Sequence, residues 1–361
     1  MPIGVGIIGA GGIALANHIP GFALCPETKV VALCDASKEA LEKAKAQTGI
    51  SNLYTDYNEL LKREDVAAVV IATPNHLHAP IALAAISLGK HVLCEKPIAM
   101  NLAESLLMLK AAQKANVRHM TAFTYRFVPA MRYMAHLVHS GFVGKPYHFR
   151  ANRFQDWDKR FLSWRQMKKF AATGEMGDML SHRFDYGHLL LGPLAKLVGT
   201  TRRFVDERGG QAADVEDWVS VLADFKSGPT GNFESTKLAT GRGEGGKSQD
   251  YCEVNGEEAS LVYYLDRPLE LQVGKKGESE LRRVPVPEQF LKVPNSPRNV
   301  REGDPLVTFR YDQDFEFIAA IREKRNCWPS FVDGARVQAV IDCVLESEKS
   351  RRWVDVPQVE N

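Results

Sequence analysis

Short apolar runs alternate with longer stretches of helical periodicity over the first third of the chain. Ser37, and Asn101 with Glu104 three residues later, stand where N-terminal helix caps are expected, and Gly49 and Asn116 stand where those helices would end. Strands that alternate with helices form a parallel sheet wrapped by helices. The pattern predicts an α/β fold with an N-terminal, doubly wound parallel sheet of the Rossmann type, with strands at residues 4–8, 30–34, 66–72, 91–94 and 119–123.

Beyond Pro129, which suits the first turn of a helix, predicted strands follow one another directly, at residues 147–154, 197–204, 219–225 and 231–238. They predict a C-terminal α+β domain with a large, mostly antiparallel open sheet, a surface that often pairs subunits. Helical periodicity returns at 312–323 and 335–349, and we expect the C-terminal helix to pack back on the first domain. The glycine-rich segment 241–246 lies between strands, which favours a loop over a phosphate-binding turn.

The length of 361 residues and the hydrophobic content of 45% fit two domains with a substantial core. We predict a first domain at residues 1–124 and a second domain at residues 125–361. A formal net charge of +2 provides no positive field that would attract a polyanion. Nucleic acid is therefore not an expected partner.

The uncharged stretch 66–89 is the candidate for a membrane span, but Pro74, Asn75 and Pro80 interrupt it, so a strand, a loop and a helix explain it better. The N-terminus lacks the basic start and cleavage site of an export signal, and we expect the mature chain to start there. The six cysteines show neither close pairing nor metal-ligand spacing. They are interpreted as reduced core thiols of a cytoplasmic protein.

A glycine-rich turn directly follows the first predicted strand and opens a helix. Gly9 permits the tight turn, Gly11 lets the backbone approach a pyrophosphate, and Ala14 keeps the helix close to the strand. Gly12 and Ile13 begin a helix whose N-terminal amides and dipole favour phosphate groups. The turn therefore predicts a dinucleotide site.

Asp35 ends the second predicted strand, roughly 20 residues beyond the glycines, where an acid accepts hydrogen bonds from the adenosine ribose. A 2′-phosphate would meet a like charge there, which favours NAD over NADP, although Lys38 lies close by. The alternative interpretation is that Asp35 only starts the turn before Ser37.

The strand that ends at residue 72 leads into Thr73, Pro74, Asn75, His76 and His78, at the edge of the sheet where ligands bind. The two histidines at alternate positions could be metal ligands, but no third ligand is apparent. We therefore expect no metal and prefer a loop that lines the nicotinamide ribose.

Two further groups carry candidate chemistry. After the strand that ends at Cys94, Lys96 could stabilise negative charge on a reacting oxygen, and Glu95 could anchor the cofactor ribose or the lysine. A lone lysine is usually a solvated surface charge, but this one stands at a strand end. Asp178 and His182 are four residues apart in a helical stretch, so a carboxylate can fix the tautomer of a histidine that accepts a hydroxyl proton.

Several motifs occur in an order that is more specific than any one of them: Gly9-x-Gly11-x-x-Ala14, Thr73-Pro74-Asn75, Glu95-Lys96-Pro97, Tyr125-Arg126-Phe127 and the segment 174–185. Over almost the whole chain this set resembles the Gfo/Idh/MocA oxidoreductases, which include inositol dehydrogenases and glucose–fructose oxidoreductase. Members of that family usually carry a glycine two residues before the histidine, where this chain has Leu180. A leucine there would narrow the pocket near the reacting carbon.

The resemblance implies that Lys96, Asp178 and His182 form the catalytic group and also contact the substrate. Trp164 and Arg165 resemble a family pair that reaches the cofactor. Further substrate contacts are expected from Tyr125 and Arg126, beside the cleft. Polar and aromatic residues on and after the first strand of the second domain look like sugar-binding chemistry: Asn152, Arg153, Gln155, Asp156 and Trp157.

The resemblance implies an NAD-dependent enzyme that transfers hydride between a secondary hydroxyl of a sugar, an anhydrosugar such as levoglucosan, or an inositol and the nicotinamide. His182 would take the hydroxyl proton and Asp178 would orient it. Residues 1–124 would then form the NAD-binding domain, and residues 125–361 the substrate-binding and oligomerisation domain. A homodimer or homotetramer is expected through the C-terminal sheet. The alternatives are an NAD-retaining glycosidase of the same family and a catalytically silent sugar and NAD sensor, and stoichiometric NADH release distinguishes the dehydrogenase from both.

Overall fold

The structure, a computed structural model, describes residues 2–26, 28–244 and 248–360. The chain folds into two compact units, of which the first comprises residues 1–124 and 292–335 and the second residues 125–291 and 336–361. Segment 292–335, which our prediction assigned to the C-terminal domain, groups with the first unit. The functional assignment of the two domains stays a prediction. Gly245 and Gly246 of the glycine-rich segment lie outside the described residues.

The strands alternate with helices in the first third of the chain and follow one another in the second. In chain order, the strands are β1 (Ile3–Ile8), β2 (Thr28–Cys34), β3 (Leu53–Tyr54), β4 (Ala68–Ile71), β5 (His91–Cys94), β6 (His119–Thr121), β7 (Pro146–Phe154), β8 (Leu194–Arg202), β9 (Glu207–Arg208), β10 (Gln211–Ala212), β11 (Trp218–Phe225), β12 (Thr230–Thr236), β13 (Gln249–Gly256), β14 (Ala259–Tyr264), β15 (Glu270–Lys275), β16 (Arg282–Pro285) and β17 (Val354–Asp355).

The α-helices of the described residues vary in length, and shorter helical turns lie next to several of them. In chain order they are α1 (Ile19–Leu24), α2 (Lys38–Thr48), α3 (Tyr57–Leu61), α4 (His78–Ser87), α5 (Leu102–Ala115), α6 (Pro129–His139), α7 (Lys168–Ala171), α8 (Ser181–Leu191), α9 (Pro305–Thr308), α10 (Tyr311–Glu323) and α11 (Phe331–Ser350). Two π-helical segments, Ala14–His18 and Met176–Leu180, precede α1 and α8.

The sheet of the first unit has the strand order β3-β2-β1-β4-β5-β6, and every described pairing in it is parallel. This order, which extends outward in both directions from β1 and β4, confirms the doubly wound parallel sheet. Its central strands are fully buried apolar runs, as expected where helices cover both faces of a sheet.

The predicted helix caps of the first unit are present. The Ser37 hydroxyl accepts a hydrogen bond from the Ala40 amide at 3.1 Å. The Asn101 side chain accepts one from the Glu104 amide at 3.0 Å, and the Glu104 carboxylate in turn accepts from the Met100 amide at 3.1 Å. Each cap satisfies amides that would otherwise be left unpaired at the first turn of α2 or α5.

The second unit is built on a nine-stranded sheet with the order β16-β15-β14-β13-β7-β12-β11-β8-β17 within the described residues. Its pairings are antiparallel except for that between β7 and β12, which confirms a large, mostly antiparallel sheet. Side chains alternate along each strand, and one face is buried beneath α6 and α8. Phe184 of α8 packs edge-on against Phe233 of this face, with ring centroids 5.1 Å apart.

Within the described residues, no helix is long and apolar enough to cross a membrane. Across the same part of the chain, no group of three or more histidine, cysteine, aspartate or glutamate side chains is arranged to hold a metal ion. All six cysteines are described, and each is buried with its sulfur outside any disulfide.

Candidate functional site

The turn after β1 shows why glycines are needed there. Gly9 has a φ of +102°, and a Cβ at this position would lie 2.4 Å from the carbonyl oxygen of Ala72, so any side chain would collide with the backbone after β4. A Cβ on Gly11 or Gly12 would meet no protein atom within 4 Å. The backbone of these two exposed glycines is thus open to an approaching ligand, as a dinucleotide pyrophosphate requires.

Asp35 lies directly after β2 and is fixed by two backbone amides. Its Oδ2 accepts from the Ala10 amide in the glycine turn, and its Oδ1 accepts from the Ser37 amide, both at 2.9 Å. The carboxylate therefore starts the turn before α2 and also stands at the glycine turn. Its place in the turn is thus observed, and its hydrogen bond to the adenosine ribose stays a prediction.

The segments after β4 and β5 lie at the same carboxyl edge of the parallel sheet and are joined by His78. Its ring nitrogens lie 2.9 Å from the carbonyl oxygens of Thr73 and Pro97, and the side chain is fully buried. Burial lowers the pKa of His78, which favours a neutral ring. We predicted a cofactor contact for His78 along with Pro74 and Asn75. The structure shows that the His78 ring lies between the two loops, and its predicted cofactor contact stays a prediction.

Glu95 is held on both carboxylate oxygens. Oε1 lies 3.2 Å from Nε2 of His18, and Oε2 accepts from the Lys96 amide at 3.2 Å. Burial alone would raise the pKa of Glu95, but the hydrogen bond and charge of His18 lower it, so the carboxyl is ionised. The Lys96–Pro97 peptide bond is cis. The predicted ribose contact of Glu95 stays a prediction.

In the second unit, the stretch that carries Asp178 differs from the predicted helix. Asp178 lies in the π-helical segment Met176–Leu180, and only from Ser181 onward is the helix α-helical. A single π turn inserted before an α-helix is frequent at functional sites. Two amides at the start of this segment, those of Gly174 and Met176, donate to Oε1 of Glu216 at 2.7 Å and 3.0 Å.

His182 follows in the first turn of α8 and is 3% exposed. The Tyr125 ring packs against it with centroids 4.4 Å apart, and the Arg183 guanidinium lies 5.4 Å from the centroid of the same tyrosine ring. The imidazole thus has a fixed aromatic neighbour. Tyr125 therefore lies beside the proposed base, and its predicted place beside the cleft and its predicted substrate contact stay predictions.

Trp164 and Arg165 form a short 3-10 turn beside Asp178. The Arg165 guanidinium stacks on the Trp164 ring at 4.4 Å, and its Nε lies 3.9 Å from Oδ1 of Asp178. Asp178 keeps 19% of its side chain exposed and Arg165 keeps 43%. Arg165 and Asp178 are therefore partly accessible to a ligand. The predicted contact of Trp164 and Arg165 with the cofactor stays a prediction.

Arg126 is engaged by Asp185. Its Nε and one terminal nitrogen donate to the two carboxylate oxygens at 2.9 Å and 2.5 Å, and both side chains are buried. Arg183, two residues before Asp185 on the same helix, pairs with Asp250 and with the Met179 carbonyl.

Arg153 points into the buried face of the sheet, 2% exposed, with Asp250 at 3.3 Å. Asn152 precedes it and therefore projects from the opposite face, since successive strand residues alternate. The group of polar residues proposed from the sequence as one sugar surface is thus divided between the two faces. The contact that we predicted between Arg153 and the substrate stays a prediction.

Glu175 was not identified from the sequence. Its fully buried carboxylate accepts from the Ser235 hydroxyl at 2.5 Å and from the Gln155 amide at 3.4 Å. Burial raises the pKa of Glu175 to about 7, against the opposing charge of Lys237. Leu180 is also fully buried, within the core. An acid three residues before Asp178 was the available signal, but nothing local indicated that it was buried.

Comparison with known proteins places these features in a family. Residues 3–123 match a model described as an oxidoreductase family with an NAD-binding Rossmann fold, and residues 131–262 match a model described as a GFO/IDH/MocA C-terminal domain. The chain is 32% identical to levoglucosan dehydrogenase of Pseudarthrobacter phenanthrenivorans, with 99% of each chain covered. It is 29% identical to myo-inositol 2-dehydrogenase of Thermotoga maritima, with 65% of this chain and 69% of that protein covered.

Solved structures agree with the sequence relatives. A levoglucosan dehydrogenase in complex with NADH and levoglucosan superposes with a TM-score of 0.91 at 31% identity, over 99% of this chain and 100% of that one. An oxidoreductase domain protein from Kribbella flavida gives a TM-score of 0.90 at 33% identity over the same shares.

Proposed function

The chain belongs to the Gfo/Idh/MocA family of NAD-binding oxidoreductases, and we propose that it oxidises a secondary ring hydroxyl of an anhydrosugar of the levoglucosan type, with sugars and inositols as further candidates. The observation that carries the proposal is the site of the second unit, where His182 packs against Tyr125 and Asp178 stands beside Arg165. Full-length similarity to levoglucosan dehydrogenase supports the choice of anhydrosugar.

The first unit fits NAD, because the open backbone at Gly11 and Gly12 leaves room for phosphates and Asp35 stands at the turn as a ribose acceptor. NAD supplies the hydride acceptor when it is bound. These residues bind and orient the cofactor, and Asp35 disfavours a 2′-phosphate by its charge.

Three side chains handle the alcohol proton in this proposal. His182 removes the hydroxyl proton as general base, and Asp178 orients its imidazole. Lys96 donates a hydrogen bond to the reacting oxygen and stabilises the negative charge that develops there. Buried ion pairs fix the surroundings of His182: Arg126 pairs with Asp185 of α8, and Asp250 of β13 pairs with Arg153 of β7 and with Arg183 of α8.

The test is a spectrophotometric screen for NADH formation, with NAD and a panel of levoglucosan, free pyranoses and inositols. We expect stoichiometric NADH release with at least one anhydrosugar or pyranose. Redox-neutral cleavage of an aryl glycoside without NADH release would favour the glycosidase. Binding of NAD and sugar without turnover of any compound would favour the sensor.

We also propose that the protein is cytoplasmic and a homotetramer. Six buried cysteines outside disulfides support a reducing compartment. The outer face of the second unit's sheet carries Trp218 and Leu222 at alternate positions, with Leu222 49% exposed, which supports pairing between copies. Light scattering after gel filtration tests the assembly: we expect the mass of a tetramer, and Leu222→Glu should dissociate it.

A further inference from the structure

A buried chain of three side chains connects the N-terminal helix region to the Glu95-Lys96 segment. The imidazole of His18 lies between two carboxylates, with Nδ1 2.8 Å from Oδ1 of Asp314 and Nε2 3.2 Å from Oε1 of Glu95. His18 is 1% exposed, and Asp314 is fully buried. The three residues come from the π-helical segment after the glycine turn, from the end of β5 and from α10, so only the folded first unit brings them together.

The charges of this chain are set by its geometry. Both ring nitrogens face carboxylate oxygens, and only the imidazolium form can donate to both. Burial alone would lower the pKa of His18, but Asp314 and Glu95 outweigh it and raise that pKa to about 10. Burial raises the pKa of Asp314 to about 6, opposed by His18. The thiol of Cys25 nearby stays neutral, because burial raises its pKa.

The surrounding packing is arranged around the Asp314 carboxylate. A Cβ on Gly21 would lie 2.1 Å from Oδ2 of Asp314, so α1 leaves space for this charge by having a glycine where it faces α10. Asp314 precedes Phe317 and Ile318 by three and four residues, which places it on their buried face of α10. A charge buried on an apolar face is costly unless it is paired, and such pairs are weak stabilisers. A buried carboxylate whose net contribution to stability is small is suited to a role in positioning.

Glu95 is the link to the proposed chemistry. While Oε1 contacts His18, Oε2 accepts from the backbone amide of Lys96. We infer that His18 and Asp314 are positioning residues that hold Glu95, and through it the peptide of Lys96, in the geometry from which the lysine acts. The inference rests on the role of Lys96 in the proposed function.

The direct test replaces Asp314 by asparagine and His18 by glutamine in the full-length enzyme, with turnover measured on a sugar that the NADH screen identifies. Loss of one of these hydrogen bonds should displace Lys96 and lower kcat by roughly 10- to 100-fold, because a small displacement of a catalytic group strongly reduces the reaction rate. KM for the sugar and the dissociation constant of NAD should change much less. Asp314→Glu keeps the carboxylate but should still have a lower kcat than the wild type, because the packing against Gly21 leaves no room for a longer side chain.

Two matched controls separate positioning from general damage. Glu316→Gln, on the same helix, removes a partly buried ion pair with Arg325 and should leave kcat unchanged. His119→Gln removes a half-buried histidine of the first unit, which accepts from the Phe331 amide at the opposite edge of the sheet, and should leave kcat nearly unchanged.

A measurement on the wild-type holoenzyme keeps the inference testable if a variant does not fold. Nitrogen-15 NMR of the histidine rings should show one doubly protonated ring at pH values between its ordinary 6.5 and about 10, and Asp314→Asn should make this ring titrate at lower pH. Absence of such a ring in the wild type overturns the inference. So does wild-type kcat in both variants when Lys96→Met abolishes turnover. Wild-type turnover in Lys96→Met instead overturns the proposed function itself.

Discussion

The arginines of the second unit's site differ in how far they are accessible to a ligand. Arg126 and Arg153 are buried and paired with carboxylates, whereas Arg165 remains 43% exposed beside Asp178. Separating a buried arginine from its carboxylate leaves an uncompensated charge, so both of these pairs are costly to break. At the residue scale we therefore expect catalysis to depend most sharply on His182 and on the residues around Asp178.

Replacing His182 by asparagine tests its role as base. We expect kcat/KM for the sugar to fall by roughly 100- to 10,000-fold, because general base catalysis contributes factors of that size. NAD affinity should stay within about a factor of three, since His182 is not among the predicted cofactor contacts. His188→Asn, six residues further along the same helix, is the matched control and should keep most activity. Retained turnover in His182→Asn would contradict the assignment.

Replacing Asp35 by serine tests cofactor selection. Hydrogen bonds from a ribose to a carboxylate contribute about 1.5–3 kcal/mol, so KM for NAD should rise roughly 10- to 100-fold. KM for NADP should fall, because the like charge is gone. Steady-state kinetics with both cofactors provide the measurement. Asp56→Ser removes an exposed carboxylate that caps α3 and should change neither value; an unchanged NAD preference in Asp35→Ser would exclude Asp35 as the selector.

Residue roles were predictable where they follow from local position. The glycine turn and Asp35 follow strands whose apolar pattern is plain in the sequence, and their geometry agrees with it. The partners of Arg126 and Arg153 were not predictable, because Asp185 lies 59 residues away and Asp250 lies 97 residues away along the chain. A local pattern shows that a charge exists but cannot show which distant charge neutralises it.

At the scale of elements, the sequence predicted strands and caps better than helix type. The caps at Ser37 and Asn101 depend on three-residue spacing and were confirmed. The π-helical segments Ala14–His18 and Met176–Leu180 were not foreseen, because a one-residue change in helical hydrogen bonding leaves no periodic signal over five residues. Both segments lie where the proposed chemistry is concentrated.

The buried carboxyl at the start of the Met176–Leu180 segment gives a prediction about stability. Burial raises the pKa of Glu175 from 4.5 to about 7, so the folded state holds a proton that the unfolded chain has released. This contribution to stability is complete below pH 4.5 and is lost as pH rises through about 7. The free energy of unfolding should therefore decrease across that window by up to roughly 3 kcal/mol from this group.

Urea unfolding midpoints at several pH values measure this loss. Glu175→Gln cannot ionise, so the variant should show a smaller decrease than the wild type between pH 4.5 and about 7. Glu258→Gln alters an exposed carboxylate that pairs with Lys276 at the surface, and it should follow the wild-type profile. Parallel profiles for the wild type and Glu175→Gln would show that this carboxyl does not carry the dependence.

For the whole molecule, the two sheets were predictable because each follows from the local order of strand and helix patterns along the sequence. The grouping of segment 292–335 with the first unit was not, since it depends on the packing of α1 against α10, nearly the whole chain apart in sequence. The same long-range closure buries His18 against Asp314. Local periodicity specifies the elements, and only the complete chain specifies which of them share a core.

The six thiols report on the integrity of both units together. All of them are buried, and burial raises the pKa of each, to about 12 for Cys34, Cys327 and Cys343. Because the thiolate is the reactive form, native protein should react negligibly with Ellman's reagent, and six thiols should react after unfolding. Ser279→Cys places a thiol at an exposed position and should add one fast reaction. Rapid labelling of any thiol in the native wild-type protein would show that the core around this thiol opens readily and would contradict the prediction.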